Sequence, residues 1–486
     1  MKGLVSWRIK LLYGTGAAAD SIKNFAFGNL LLLYYNQVLG VSGTLSGIAV
    51  AIAVAFDAIT DPAVGSWSDG FRHRLGRRHL FMAVSIVPLA LTFFFLFWPP
   101  QGLGEWGTFA WLTIFAVLCR TALTFFHVPF MSLGAEMTPD YQERSQIAAV
   151  RTGLGMTASL LVVVLTWNVV FVETPDVPTP QLVRDAYFGF AIITAGVMTV
   201  MMTISTWGTL SLIPHLSRVR EDHPGFSLPR VYTDILQAMK NRDFSALFWG
   251  SLLFAVFMGV HAALSMHTKT FFWELDTTSI QLIQYANILG GIGGLFLLGW
   301  FHRVFDKRLT LIMGVVAYSI TITAPIVLKI SGLMTSDPMV VRWLLIVMGI
   351  IGYAGIIHAG VTGMSMMGDI ADEHELRHGV RQEGVYFGSH NFALKCTTAL
   401  GNLLAGFGLD LVSFPANAVP GEVASAVLFD YGLFSALLVV MAVIGIVVFL
   451  PYRLDRQRHA AIRVALDNKA ATDSTDAANT TVRYDR

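Results

Sequence analysis

Residues 43–67 read GTLSGIAVAIAVAFDAITDPAVGSW. Apart from Asp57 and Asp61 the stretch carries no charge. It is long enough to cross a bilayer, for which a helix needs about 20 predominantly apolar residues. Eleven more segments of this kind surround it, at 12–38, 79–99, 107–133, 147–172, 186–213, 244–266, 278–301, 309–332, 339–367, 384–412 and 424–451. Composition agrees: of 486 residues, 54% are hydrophobic and 13% charged, against about 25% charged in soluble domains. No soluble core of this size hides so much apolar surface. A soluble enzyme, a nucleic-acid binder and a secreted module are thereby excluded, and the expected fold class is an all-α membrane protein with twelve transmembrane helices. The first apolar run is too long for a leader and lacks a small-residue cleavage site, so no cleavable signal peptide is expected. Cys119 and Cys396 lie in apolar runs and read as buried small hydrophobes, with neither disulfide nor metal spacing.

Lys and Arg set the orientation. Lys2, Arg8 and Lys10 precede the first span, and Arg72, Arg74, Arg77 and Arg78 lie between the second and third. Arg218, Arg220, Arg230, Lys240 and Arg242 follow the sixth, Arg303, Lys307 and Arg308 follow the eighth, and Arg453, Arg456 and Arg458 follow the last. The alternate loops are nearly bare: 39–43 and 413–423 hold no Lys or Arg, and 173–185 holds only Arg184. Both termini are therefore expected in the cytoplasm, with the chain multi-pass in a plasma (inner) membrane. The longest internal polar stretch, with Pro214, Pro224 and Pro229, divides the spans six and six. The expected organisation is a six-helix bundle over 1–213, a cytoplasmic linker over 214–243, a second six-helix bundle over 244–452, and a disordered cytoplasmic tail over 453–486. Two such halves suit a transporter whose solute site lies between them near the midplane.

Ionisable groups inside spans are the functional signal, because each costs at least about 2.5–3.5 kcal/mol to insert. Asp57 and Asp61, at i and i+4, share one helical face. With the Thr60 hydroxyl they supply hard oxygen ligands for a monovalent cation, or two acids that share a proton. The alternative is a structural pair with a basic residue on a neighbouring helix. Asp20 and Lys23, at i and i+3, can neutralise each other or meet a solute. Arg120 needs a carboxylate, with Asp20, Asp57 and Asp61 as the choices. Thr124 and His127 share a face, and His127 can bond a hydroxyl, carry a proton or simply pack. Lys395, more than two turns inside its span, needs a counter-charge or a solute oxygen. His261, His267 and His358 read as structural, and Trp98, Trp106 and Trp273 as interfacial. Tyr34, Tyr35, Tyr386 and Phe387 can stack on a sugar face or pack.

Three charged clusters flank the spans on the Lys- and Arg-rich side. Asp69 with Arg77 and Arg78 can clamp helix ends. Glu143, Arg144 and Arg151 offer a second network, and Asp372, Glu375, Arg377, Arg381 and Glu383 a third. Such clamps would stabilise one state of an alternating-access cycle.

Four motifs in order carry a resemblance: Asp57-x-x-x-Asp61-Pro62; Ser68-Asp69 with Gly76-Arg77-Arg78; Val128-Pro129-Phe130 with Glu136-Met-Thr-Pro-Asp140-Tyr-Gln-Glu143-Arg144; and Arg381-Gln-Glu383-Gly384-Val-Tyr386 with Lys395. From about Lys10 to Arg453 the chain resembles the glycoside–pentoside–hexuronide:cation symporters, the melibiose-carrier branch of the major facilitator superfamily. The resemblance implies the major facilitator fold, no cofactor, a coupling cation (Na+ or H+) and a small-molecule solute, a sugar or glycoside. It implies cation contacts at Asp57, Asp61 and Thr124, a lysine near both cation and sugar at Lys395, and a sugar contact at Arg151 with one residue of slippage. The chain also departs from the melibiose carriers. Thr60 stands where they have asparagine, which leaves proton coupling open. His127 stands where they have a sugar-binding aspartate, and their helix-one aspartate falls on Ser21, one place after Asp20. Melibiose itself is therefore not the expected solute. A histidine before Val-Pro is similar to the animal lysophospholipid symporters, which keeps an amphipathic solute open.

The leading expectation is cation-coupled symport of a sugar or glycoside by alternating access. Asp57, Asp61, Thr60 and Thr124 would hold the cation, with no other metal. Asp20, Lys23, Arg120, His127, Arg151, Lys395 and Tyr386 would face the solute. The alternatives are an amphipathic solute such as a lysophospholipid, or a membrane sensor that moves nothing. A membrane enzyme is not expected, since no Gly-x-Ser-x-Gly, metal cluster or cofactor motif appears, and the missing P-loop argues against an ATP-driven pump. No nucleic acid and no obligate protein partner is implied.

Overall fold

The computed structural model describes residues 5–71, 73–215, 236, 238–378, 383–466 and 468. Arg72, Arg218, Arg220, Arg230, Arg381 and the side chains of Glu383, Phe387 and Cys396 lie outside the described residues, as do most of the expected linker and the end of the tail. What is described is helical, with one isolated bridge between Thr174 and Val177.

A broken first run, α1, comprises Trp7–Gly14 and Ala17–Phe25 and continues to Val38 through π-helical turns at Ala26–Leu30 and Tyr34–Val38. Then follow α2 (Gly43–Gly70), α3 (His79–Phe97), α4 (Glu105–Glu136), α5 (Tyr141–Leu165), α6 (Arg184–Gly208), α7 (Arg242–His267), α8 (Thr277–Val304), α9 (Lys307–Ile330), α10 (Pro338–His378), α11 (Glu383–Leu411) and α12 (Ser425–Leu437 with Val439–Phe449). Among the described residues, ten of these runs, α2–α10 and α12, are long and apolar enough to cross a membrane. Side-chain oxygens start several of them. Ser42, Asp140 and Asn241 each accept from the backbone N–H three residues on, at the heads of α2, α5 and α7, satisfying donors a helix N-terminus leaves bare. Pro62 sits inside α2, which runs on unbroken to Gly70.

Two expectations need correction. The acidic stretch Asp369–Arg377, which lies beyond the expected span 339–367, is the continuation of α10, which spans 41 residues. At 1.5 Å per residue this is about 60 Å, twice a bilayer core. Hydropathy marks only the apolar part of a helix, while Asp372-Glu373-His374-Glu375-Leu376 extends it as a polar stalk. The disordered tail expected from 453 does not hold for 456–466, which are helical. Leu454 and Ile462 are buried there against the second half.

The buried aromatics Tyr34, Tyr35, Tyr187, Phe97, Phe171 and Phe190 form one interior cluster, with Tyr34 stacked on Tyr187 at 4.1 Å. Tyr35 donates its hydroxyl hydrogen to the Leu96 carbonyl at 2.7 Å. Of the two outcomes open to these tyrosines, they pack.

The two sets of helices meet most closely where α2 lies along α11. Gly43 and Gly47 face Gly406 and Asn402, and a Cβ at Gly406 would overlap the Gly43 carbonyl. Small residues let two helices approach to backbone contact where lipid offers no hydrophobic drive. The first described residue and the start of the tail are each tied to a helix head: the Val5 amide donates to Glu143 in the first turn of α5 at 2.7 Å, and the Arg453 amide to Asp243 in the first turn of α7 at 2.7 Å. At the opposite face, polar contacts join the two sets. Asp410 accepts from the Gly43 and Thr44 amides at 3.0 and 2.8 Å, capping α2 from α11. Gln37 bonds the Pro415 carbonyl at 3.1 Å and the Ala418 amide at 2.9 Å. His267 meets Asn36 at 3.2 Å, and Asn168 donates to Tyr285 at 2.7 Å. At the chain-end face, Lys10 pairs with Glu143 and Arg78 with Glu136 in one set, and Lys307 with Asp369 in the other. The molecule is thus latched at one face by backbone caps and side-chain amides.

Asp410 is the charged part of that latch. Asp410→Ala should weaken it by about 1–2 kcal/mol, the worth of a helix cap, and so raise the opened population several-fold. The readout is labelling of Val41→Cys, a buried position beside the cap whose side chain makes no latch contact, by an impermeant thiol reagent, with Cys119 and Cys396 replaced. Labelling that does not change in the Asp410→Ala background would show that the cap holds nothing shut.

Candidate functional site

The site is built from two i, i+4 pairs on helices that run in the same direction. Asp57 and Asp61 on α2 face Arg120 and Thr124 on α4, each pair separated by 63 residues. The register of the two helices therefore matches carboxylate to guanidinium on one rung and carboxylate to hydroxyl on the next. Arg120 Nε donates to Asp57 Oδ2 at 2.8 Å, and its terminal nitrogen reaches the same oxygen. Thr124 Oγ1 donates to Asp61 Oδ1 at 2.6 Å. The other Asp61 oxygen accepts from Lys395 Nζ, from α11 of the second half.

The two rungs differ in access. Asp57 and Arg120 are 6% and 7% exposed, with the Phe27 ring 5.7 Å from the guanidinium. The side chains of Asp61 and Lys395 keep 27% and 32% exposure. One ion pair is sealed, where losing a partner leaves an uncompensated charge. The other opens to the space between the halves. Asp57 Oδ1 is buried without a hydrogen-bond partner, a costly orphan in a dry interior. It and the Asp61 oxygens and Thr124 Oγ1 make a cluster of hard oxygen ligands, which fits Na+ or another small monovalent cation. Among the described residues no group of three His, Cys, Asp or Glu gathers as for a transition metal.

A second cluster sits on α1. Lys23 pairs with Asp20 at 3.1 Å, and Asn24 bridges them, donating to Asp20 at 2.8 Å and accepting from Lys23 at 2.6 Å. His127 faces this pair electrostatically and makes no side-chain hydrogen bond among the described residues. Asp20, Asp57 and Asp61 thus oppose Lys23, Arg120 and Lys395, and Arg151 of α5 also acts on His127.

Of the residues the sequence singles out, Asp57, Asp61, Thr124, Arg120 and Lys395 come together, and Asp20, Lys23 and His127 form the neighbouring group. Arg120, expected at the solute, is instead committed to Asp57. Thr60, expected as a cation ligand, turns its hydroxyl back to the Phe56 carbonyl at 3.1 Å. Serine and threonine in helices satisfy themselves this way. Arg151 reaches Met131 Sδ at 2.8 Å. Tyr386, expected at the solute, is fully buried in the second half, packed on Phe244 at 4.9 Å and bonded to His374 at 3.0 Å. It belongs to that half's interior.

The charge clusters rearrange similarly. Arg78 binds Asp69, Ser68 at 2.7 Å and Glu136 at 2.7 Å, and Arg77 joins Glu136 at 2.9 Å. Glu143 pairs with Lys10 at 3.0 Å, while Arg144 donates to the Thr138 carbonyl at 2.9 Å. Asp372 meets His459 at 3.1 Å and Arg463 at 3.5 Å from the tail helix, and Glu373 meets Arg458 at 2.7 Å. Sequence reasoning leaves Glu136, Lys10 and Glu373 unassigned. All three lie near helix ends within reach of a basic or acidic partner, a signal visible only once the helix limits are known.

A family model described as MFS/sugar transport protein matches residues 12–456. The glucuronide carrier protein homolog of Escherichia coli (strain K12) is 25% identical over 440 residues, 86% of this chain and 87% of that one. The sodium-dependent lysophosphatidylcholine symporter 1 of Gallus gallus is 23% identical over 506 residues, 97% and 92% of the two chains. Among solved structures, the nucleoside transporter NupG superposes with a TM-score of 0.56 at 14% identity, over 91% of this chain and 98% of that one, which shows a shared major facilitator fold. With a family model spanning nearly its whole length and that fold, the chain belongs to the MFS/sugar transport protein family.

Proposed function

We propose that the protein is a cation-coupled symporter of the inner membrane that moves a sugar or glycoside by alternating access, with both ends in the cytoplasm. The family, its symporter relatives and the Lys- and Arg-rich loops at one face support this reading. The observation that carries it is the Lys395–Asp61 bridge, because it joins the two halves through a carboxylate of the cation cluster.

The cation and Lys395 compete for Asp61. A cation entering among Asp57 Oδ1, Asp61 and Thr124 adds a positive charge directly beside the Lys395 ammonium. The ammonium is then released from Asp61 and turns to a solute oxygen, with Asp20, Lys23, Asn24 and His127 beside it. Cation binding therefore builds the solute site, and each ligand raises the affinity of the other by the same factor. Arg120 does not move in this scheme; it keeps Asp57 ionised and in place. With the far face latched, the site opens toward the cytoplasm.

The relationship to the lysophosphatidylcholine symporter supports a second reading, an amphipathic solute at the same cation site. Uptake of a neutral sugar that depends on sodium at fixed pH favours the first; lysolipid uptake alone favours the second.

Two mutational outcomes follow. Asp61→Asn keeps the Thr124 contact but removes the charge that cation and Lys395 share, so concentrative uptake should fall at least about tenfold, one lost charge-assisted contact, while exchange of solute across the membrane persists. Uptake measured in proteoliposomes under a sodium gradient decides it, and full accumulation by the variant would remove Asp61 from coupling. Arg120→Ala leaves Asp57 buried and unpaired, a loss of about 3–5 kcal/mol. Thermal melts should show it far less stable than wild type, and the double variant Asp57→Asn with Arg120→Met should recover most of the loss. A melting temperature unaltered by Arg120→Ala would contradict the sealed pair.

A further inference from the structure

The arginines at the Lys- and Arg-rich face are not committed alike. In the first half Arg77 and Arg78 turn onto Glu136 and Asp69. In the second half Lys307 turns onto Asp369 at 2.7 Å, but the four arginines around it find no close carboxylate. Arg308 donates one terminal nitrogen to the Leu450 carbonyl at 2.8 Å. Arg456 donates one to the His302 and Phe305 carbonyls and reaches Asp306 only at 3.8 Å. The side chains of Arg303 and Arg453 are exposed, with no hydrogen-bond or ion-pair partner among the described residues.

These contacts gather two distant stretches of chain. Arg308 ties the head of α9 to the end of α12, and Arg456 ties the tail helix to the α8–α9 turn. Arg303 follows His302 directly, and Arg453 lies midway between Leu450 and Arg456. The acids of this corner are Asp306 and Asp455, and Asp455 already accepts from the Arg458 amide at 2.8 Å. Four guanidinium groups thus meet two carboxylates, with most of their N–H donors free.

The same helix ends expose Trp300, Val304, Leu309 and Val447. A half-exposed tryptophan at a span end marks interfacial depth, and the aliphatic side chains beside it lie against lipid tails. The corner is therefore apolar on its membrane side and multiply cationic at the surface. A free anion matches only the second property; a phospholipid matches both. The guanidinium fork fits phosphate oxygens, and clustered basic residues just outside a span favour anionic lipid.

We propose that this corner binds an anionic phospholipid of the adjoining leaflet. Arg303, Arg308, Arg453 and Arg456 hold its phosphate, and its chains run along the ends of α8 and α12. The lipid then fastens the tail helix to the α8–α9 turn. Through the tail it braces α10, whose Asp372 and Glu373 meet His459, Arg463 and Arg458.

Thermal melting of the purified full-length protein in neutral detergent tests this with three probes: dioctanoyl phosphatidylglycerol, dioctanoyl phosphatidylcholine and inorganic phosphate. A ligand of the folded state raises the melting temperature by mass action. Phosphatidylglycerol should raise it, and the other two should not. Arg303→Gln with Arg453→Gln removes two charges that contact nothing in the protein, so the melt without lipid should be unchanged. The phosphatidylglycerol needed for the same shift should rise about fivefold for each arginine lost. Arg303→Lys with Arg453→Lys should keep most of the affinity, which covers the case in which the glutamine variant folds poorly. Arg74→Gln, at an exposed arginine of the first half, should change nothing. An equal shift from phosphatidylcholine, or the same shift from inorganic phosphate, overturns the lipid site. So does a phosphatidylglycerol effect that survives the double glutamine variant, or one that Arg74→Gln weakens as much.

Discussion

The structure turns on charge neutrality in a medium that tolerates no loose charge. Asp57 and Asp61 cannot sit in the middle of α2 unless cations meet them, and the fold supplies two of opposite character. Arg120 is a permanent donor on the same half, sealed from water. Lys395 is a flexible point charge on the other half, a third exposed. Arginine suits a fixed structural pair and lysine an exchangeable one. The difference between the two rungs is the difference between holding a site together and operating it.

In the proposed cycle the rest of the molecule serves that exchange. The α2–α11 contact that carries Asp61 to Lys395 is also the one that brings Gly43 against Gly406 and places Asp410 on the head of α2. One helix pair thus carries both the mid-membrane bridge and the latch at the far face. A change at Asp61 has a direct mechanical path to the latch along two rigid helices. At the chain-end face, the networks around Glu136 and around Asp369, Asp372 and Glu373 brace each half internally. Each half can then move as a body.

Much of this is legible in the sequence. Charges inside apolar runs are conspicuous because composition alone marks them as costly, so Asp57, Asp61, Arg120 and Lys395 stand out without any structure. Which cation meets which carboxylate is not legible. It depends on the relative register of α2, α4 and α11, set by packing between segments far apart in the chain. Tyr386 is misplaced by sequence reasoning for the same reason: its type suits a sugar site, but its position puts it against Phe244. The Asp369–Arg377 stretch falls outside the span read from sequence because hydropathy follows the bilayer and not the helix. Asp410 escapes notice because it sits near a span end, where a charge is ordinary; only the geometry shows it capping α2 across the interface.

The central claim is that the coupling cation and Lys395 contend for Asp61. Sodium titration of Lys395→Gln, followed by calorimetry with and without solute, tests it most directly. The account predicts sodium binding several-fold tighter than in wild type, since the competitor is gone, and no longer strengthened by solute. Sodium affinity equal to or weaker than wild type, still enhanced by solute, would contradict it.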